Sequence, residues 1–118
     1  DIFDRGLPEF RRALERWRDA EWAAAVVYMD FLAWLRDSHV ARKFGEEAAE
    51  DLRRRAAPYR EALREAAAPA QLTDRLLRFD AELKREGLNP GTSADLCVAT
   101  IFVAALDQGC RNKITDLL

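Results

Sequence analysis

Cysteine and histidine are scarce in this chain of 118 residues, with two of the first, Cys97 and Cys110, and a single His39. Without a CxxC pair and with one imidazole, the sequence excludes zinc sites, thioredoxin-type redox chemistry and a disulfide framework. A reducing, cytoplasmic compartment is the expected setting. Glycine and proline are sparse too, five and four residues, which excludes collagen-like and low-complexity classes. Long apolar runs are missing: the longest, Leu96 to Leu106, falls well short of the roughly 20 residues a bilayer-spanning helix needs. No segment alternates at period two for the length of a strand. Charge of one sign is absent as well. Nineteen basic residues stand against 21 acidic ones, for a net charge of −2, so no general basic field exists to gather nucleic acid or an anionic membrane. Any phosphate site has to be local.

What is present is helical periodicity on a composition that is 49% hydrophobic and 34% charged, enough apolar residues for one real core at this length. The pattern predicts an all-α fold, a single helical domain over residues 1–118 with about five helices. The chain opens at Asp1, with no initiator methionine, which suggests a piece of something longer. The first helix is expected from Pro8 to Arg18, with Phe10, Leu14 and Trp17 on one face. The second, Glu21 to Arg36, is apolar around nearly its whole circumference and is expected at the centre. A third begins near Gly45; Pro58 should kink or end it, yet Ala48, Leu52, Tyr59 and Leu63 keep one apolar stripe across it, and Ala66 to Pro69 marks the next boundary. The fourth, Ala70 to Arg85, has Leu72, Leu76, Phe79 and Leu83 in helical spacing. After Gly87-Leu88-Asn89-Pro90-Gly91, a fifth helix is apolar on every side from Leu96 to Leu106, so it joins the second in the centre, with Phe31, Ile101 and Phe102 buried. Asp30, inside the second helix, needs a partner, most simply an arginine.

Two segments have the composition of a site. In Leu88-Asn89-Pro90-Gly91-Thr92-Ser93-Ala94-Asp95-Leu96, a glycine, two hydroxyls and free amides at a helix start suit a phosphate. Asp95 there could hold Mg²⁺ or a ribose hydroxyl. The plainer reading is a capping box, Thr92 as N-cap with Asp95 three residues on. Asp37-Ser38-His39-Val40-Ala41-Arg42-Lys43-Phe44-Gly45 gathers a carboxylate, a hydroxyl, the histidine and two cations. Asp37, Ser38 and His39 are no catalytic triad, because neighbours in sequence point apart. Arg42 and Lys43 suit a polyphosphate, whereas the plain alternative is a solvated loop with a capping aspartate.

Together the segments resemble the triphosphoribosyl-dephospho-CoA synthase family. The Asn-Pro-Gly-Thr-Ser-Ala-Asp-Leu run at 89–96 looks like its C-terminal signature, and Asp37-Ser38 followed by Arg42-Lys43 looks like its mid-chain motif, in the same order. The wording is nearer to archaeal-type and methylotroph relatives. The resemblance implies an all-helical enzyme more than twice this length, of which the chain is the C-terminal part. It also implies a reaction in which the 2′-hydroxyl of dephospho-CoA attacks C1′ of ATP and adenine leaves, with Mg²⁺ as the expected cofactor. Carried over, Arg42 and Lys43 would bind triphosphate, Asn89, Gly91, Thr92 and Ser93 would cradle phosphate or ribose, and Asp37 and Asp95 would serve catalysis, Mg²⁺ or ribose hydroxyls. His39 receives no role. The implied partners are ATP, dephospho-CoA or a related small-molecule acceptor, and the missing N-terminal part of the same protein; a homo-oligomer is compatible, while nucleic acid and membrane are not expected. Two alternatives stay open: a related transferase of pterin-linked one-carbon cofactor biosynthesis with another acceptor, and a non-catalytic helical interaction module. The first two readings require the segments at 37–45 and 87–95 to line one cleft.

Overall fold

The computed structural model describes residues 1–106. Every regular element among them is helical, so the all-α expectation holds. A single π-turn, Ile2–Gly6, leads into α1 (Leu7–Trp17), followed by α2 (Ala20–Trp34), α3 (Ser38–Phe44), α4 (Glu46–Glu65), a 3₁₀ turn at Pro69–Leu72, α5 (Thr73–Arg85) and α6 (Gly91–Leu106). The segment from 38 to 44, open between a site and a loop in the sequence, is a helix. Asp37 caps it and Gly45 ends it, at φ +98°, a backbone conformation that glycine adopts without steric cost.

As expected, α2 is the centre. It packs most extensively on α4 and α1, and Val27, Phe31 and Leu32 are fully buried along it. A helix apolar all round has no solvent face to offer, so it ends up enclosed. Asp30 on the same helix is buried and meets three arginines: Arg5 Nε at 3.1 Å, Arg60 Nε at 2.9 Å and Arg64 at 3.5 Å. Burial pushes its carboxyl above the usual carboxylate range, while the guanidiniums pull the other way. The cluster ties the π-turn and α4 to α2.

Two expectations need correction. Of the two outcomes expected at Pro58, an end to the helix does not occur: α4 runs through it to Glu65, and the stripe expected across it holds, with Leu52, Ala56 and Leu63 buried. Burial of that stripe outweighs the local loss. The second concerns α6, whose apolar circumference is only half covered. Ser93, Cys97, Thr100 and Ala104 face inward toward α1, α2 and the π-turn. Gly6 lets the π-turn approach this face: a Cβ there would overlap the Thr100 hydroxyl and come within 2.9 Å of Phe31. On the opposite side Val98, Phe102 and Leu106 are 67%, 64% and 61% exposed. Of the three residues expected in the centre, Phe31 is buried, Ile101 is half-buried and Phe102 stands in solvent.

Candidate functional site

The two segments singled out in the sequence meet at the N-terminal ends of α3 and α6, and they interlock residue against residue. Asp37 pairs with Ser93, Ser38 with Thr92 and His39 with Gly91, one chain position stepping forward as the other steps back. Asp37 is 1% exposed and both of its oxygens are filled. Oδ1 accepts from the amides of His39 at 3.0 Å and Val40 at 3.2 Å, which is the N-cap of α3. Oδ2 accepts from the Ser93 amide at 2.9 Å and the Ser93 hydroxyl at 3.0 Å. One carboxylate therefore caps two helices and is held by four donors, the arrangement that keeps a buried negative charge tolerable.

The next rung is a hydroxyl pair, Ser38 Oγ to Thr92 Oγ1 at 2.5 Å. Beyond it the His39 ring lies over Gly91, so closely that a Cβ at 91 would sit 2.9 Å from His39 Nδ1 and 3.0 Å from its Cγ. Glycine is thus required at 91 by the neighbour it faces rather than by an unusual φ. The helix begins at Gly91, with the Ala94 amide donating to the Pro90 carbonyl at 3.1 Å. The capping box expected from Thr92 and Asp95 is therefore not formed: Thr92 lies inside the first turn and turns its hydroxyl to Ser38, and Asp95 is left exposed.

Past the interlock, His39, Val40, Arg42, Lys43, Phe44 and Asn89 line a cavity of about 230 Å³. Both segments contribute to it, as a shared cleft requires. Arg42 and Lys43 are exposed, and neither forms an ion pair among the described residues, although the Lys43 ammonium lies over the Phe44 ring at 5.4 Å. Many of the arginines elsewhere are matched by carboxylates, as in Arg55 with Glu86 and Arg53 with Glu50. With no carboxylate paired to either cation among the described residues, the cavity has a positive field suited to an anion.

The structure thus sorts the expected site residues into two sets. Asp37 and Ser93 face each other in the interior. Arg42, Lys43, Asn89, Thr92 and Asp95 reach the surface or its edge, and Gly91 lies under His39. His39 and Ser38 are the residues the sequence reading left without a role, and the only signal for them was their place in the same nine-residue segment as Arg42. No group of three or more His, Cys, Asp or Glu side chains able to hold a metal occurs among the described residues, and no described helix is long and apolar enough to cross a membrane.

These features define an all-helical protein in which two separate motifs close on a small cationic cavity. Comparison with known proteins makes the assignment specific: residues 1–114 match the family described as CitG, ATP:dephospho-CoA triphosphoribosyl transferase, and the chain belongs to it. A relative from Citrobacter koseri, named probable 2-(5''-triphosphoribosyl)-3'-dephosphocoenzyme-A synthase, is 31% identical over 109 residues, covering 91% of this chain. The chain spans 35% of that relative's length. No solved structure matches.

Proposed function

We propose that this chain forms the nucleotide-phosphate side of an ATP-dependent triphosphoribosyl transferase acting on dephospho-CoA or a closely related acceptor. The observation that carries the reading is the convergence of the 37–45 and 87–95 segments on one cavity with two exposed, unpaired cations. Arg42 and Lys43 would hold the triphosphate, Arg42 through its planar fork and Lys43 as a point charge. Asn89 and the Thr92 hydroxyl lie at the edge of the same region and would orient phosphate or ribose. Asp37 and Ser93, with their polar atoms spent on each other, are positioning residues in this scheme. They fix α3 and α6 in the register that lets Arg42 and Asn89 share a cavity.

Mg²⁺ is the expected companion of the triphosphate. The ion is commonly held through one or two carboxylates and the substrate phosphates. Asp37 does not fit, since both oxygens already accept from four protein donors. Asp95 fits, exposed in the first turn of α6, and Mg²⁺ there would neutralise charge on the phosphates. In the transfer itself the 2′-oxygen of the acceptor bonds to C1′ of ATP, the glycosidic bond to adenine breaks with its electron pair going to the base, and the proton lost by the hydroxyl is balanced by protonation of the departing adenine. An oxocarbenium-like transition state of this kind is favoured by nearby negative charge.

Titration of the chain with ATP, ADP and AMP tests the reading. Arg42→Ala should weaken ATP binding about tenfold or more, with a smaller loss for AMP, because a charge-assisted pair to an outer phosphate contributes roughly 1.5–3 kcal/mol. Asp95→Asn should leave the melting temperature unchanged and abolish the Mg²⁺ dependence of ATP affinity. Equal losses for ATP and AMP, or a lowered melting temperature with unchanged affinity, would count against it.

A further inference from the structure

The outer stripe of α6 is the largest feature that the proposed site does not use. From Asp95 onward, residues 98, 102 and 106 recur at steps of three and four along one face, and Val98, Phe102 and Leu106 there are each more than 60% exposed. α2 has the same all-round apolar composition and is enclosed. Among the described residues, the fold therefore builds two core helices and supplies neighbours for one and a half. A stripe of three large apolar side chains, one per helical turn and free of charge between Asp95 and Leu106, is the anchor pattern of a helix laid into a partner's groove.

The Citrobacter koseri relative indicates the occupant. It aligns with 91% of this chain, yet that alignment takes up 35% of its own length, so about two thirds of its polypeptide lies outside the matched part. We propose that the Val98–Phe102–Leu106 stripe is the docking surface for that remaining part of the family fold, carried in the same polypeptide, through an apolar helix face. A helix seated there would pass directly by Asp95, which begins the stripe. The arriving segment would therefore lie beside the first turn of α6, which begins at Gly91 under His39. A second copy of this chain is the weaker occupant: three side chains make a small patch against the roughly 800 Å² per partner of a stable interface.

The surface rests on family membership and burial, not on the nucleotide reading, so the two can fail separately. The test joins this chain to the part of the Citrobacter koseri protein outside the matched region, in place of that protein's own matched segment. Covalent fusion offsets imperfect complementarity by raising effective concentration. Hydroxyl-radical footprinting without nucleotide then reads oxidation at Val98, Phe102 and Leu106. Protection of all three by fivefold or more relative to the 118-residue chain is expected, and Phe102→Glu should remove the protection at 98 and 106 while leaving the melting temperature of the 118-residue chain unchanged. Oxidation as fast in the fusion as in the chain would overturn the proposal. So would a chain that is already dimeric by light scattering with the stripe protected, or a Phe102→Glu variant that unfolds the chain.

Discussion

At the scale of single residues, the interlock between Asp37–His39 and Gly91–Ser93 decides the geometry of the cavity, and its rungs differ in chemistry. Asp37→Ala would strip acceptors from the amides of His39, Val40 and Ser93 at once. A lost N-cap costs about 1 kcal/mol, and each buried donor left unsatisfied about 1–3 kcal/mol more. A total of about 3 kcal/mol is expected from urea unfolding, against about 1 kcal/mol for Ser93→Ala, which keeps its amide bond to the carboxylate. The double variant should cost no more than Asp37→Ala alone, because the serine hydroxyl has lost its acceptor there already. The His39 rung is steric. Gly91→Ala should destabilise by about 1–2 kcal/mol, since the added methyl would lie 2.9 Å from His39 Nδ1. Adding His39→Ala should restore most of that loss in the same unfolding measurement, and additive losses would show that the ring is not the obstacle.

At the scale of elements, what the sequence made legible follows from how local each signal is. The positions of α1 and α5 were readable because one face of each repeats at helical spacing, and α2 because its apolar residues run around the whole of it, and the boundaries came within a few residues. Helix α3 was not, since seven residues with two buried ones, Val40 and Ala41, give too short a pattern to separate from a loop. Half-covered α6 was also out of reach: its composition states that it can be enclosed, while only the neighbours present in space determine whether it is. The site divided in the same way. The residue types of a phosphate cradle were visible in both segments, but the pairing of Asp37 with Ser93 spans 56 positions, and local sequence contains nothing that distinguishes a carboxylate turned inward from one left exposed like Asp95. Helix α4 shows tertiary packing overriding a local rule. Pro58 is exposed on a helix whose other face is buried, so the stripe of Leu52, Ala56 and Leu63 holds the helix together despite the missing amide. Pro58→Ala should therefore stabilise the protein, by about 2 kcal/mol given the roughly 3 kcal/mol helix-interior penalty of proline. A rise in melting temperature would check it.

Across the whole molecule, the junction between α2 and α6 sets the response to alkali. Cys97 on α6 points its thiol at the Ala24 carbonyl of α2, with Sγ at 3.4 Å, and burial pushes its pKa from the ordinary 9.0 up to about 11. Tyr28 on α2 is raised in the same way, first by burial and then by the Asp37 charge, from 10.0 to about 12. Both groups are neutral when protonated, and both hold their protons more tightly in the folded chain than in the unfolded one. Their contribution is accordingly complete below pH 9, the ordinary thiol value, and is lost as the pH rises through the folded values of about 11 and 12. The expected melting curve is flat from pH 7 to 9 and falls between pH 9 and 12. The Cys97→Ala, Tyr28→Phe double variant, which removes both titrating groups while keeping the apolar contacts largely in place, should show a shallower fall over the same range. An unchanged slope in that variant would mean that α2 and α6 separate by another route, and that neither the thiol nor the phenol senses their packing.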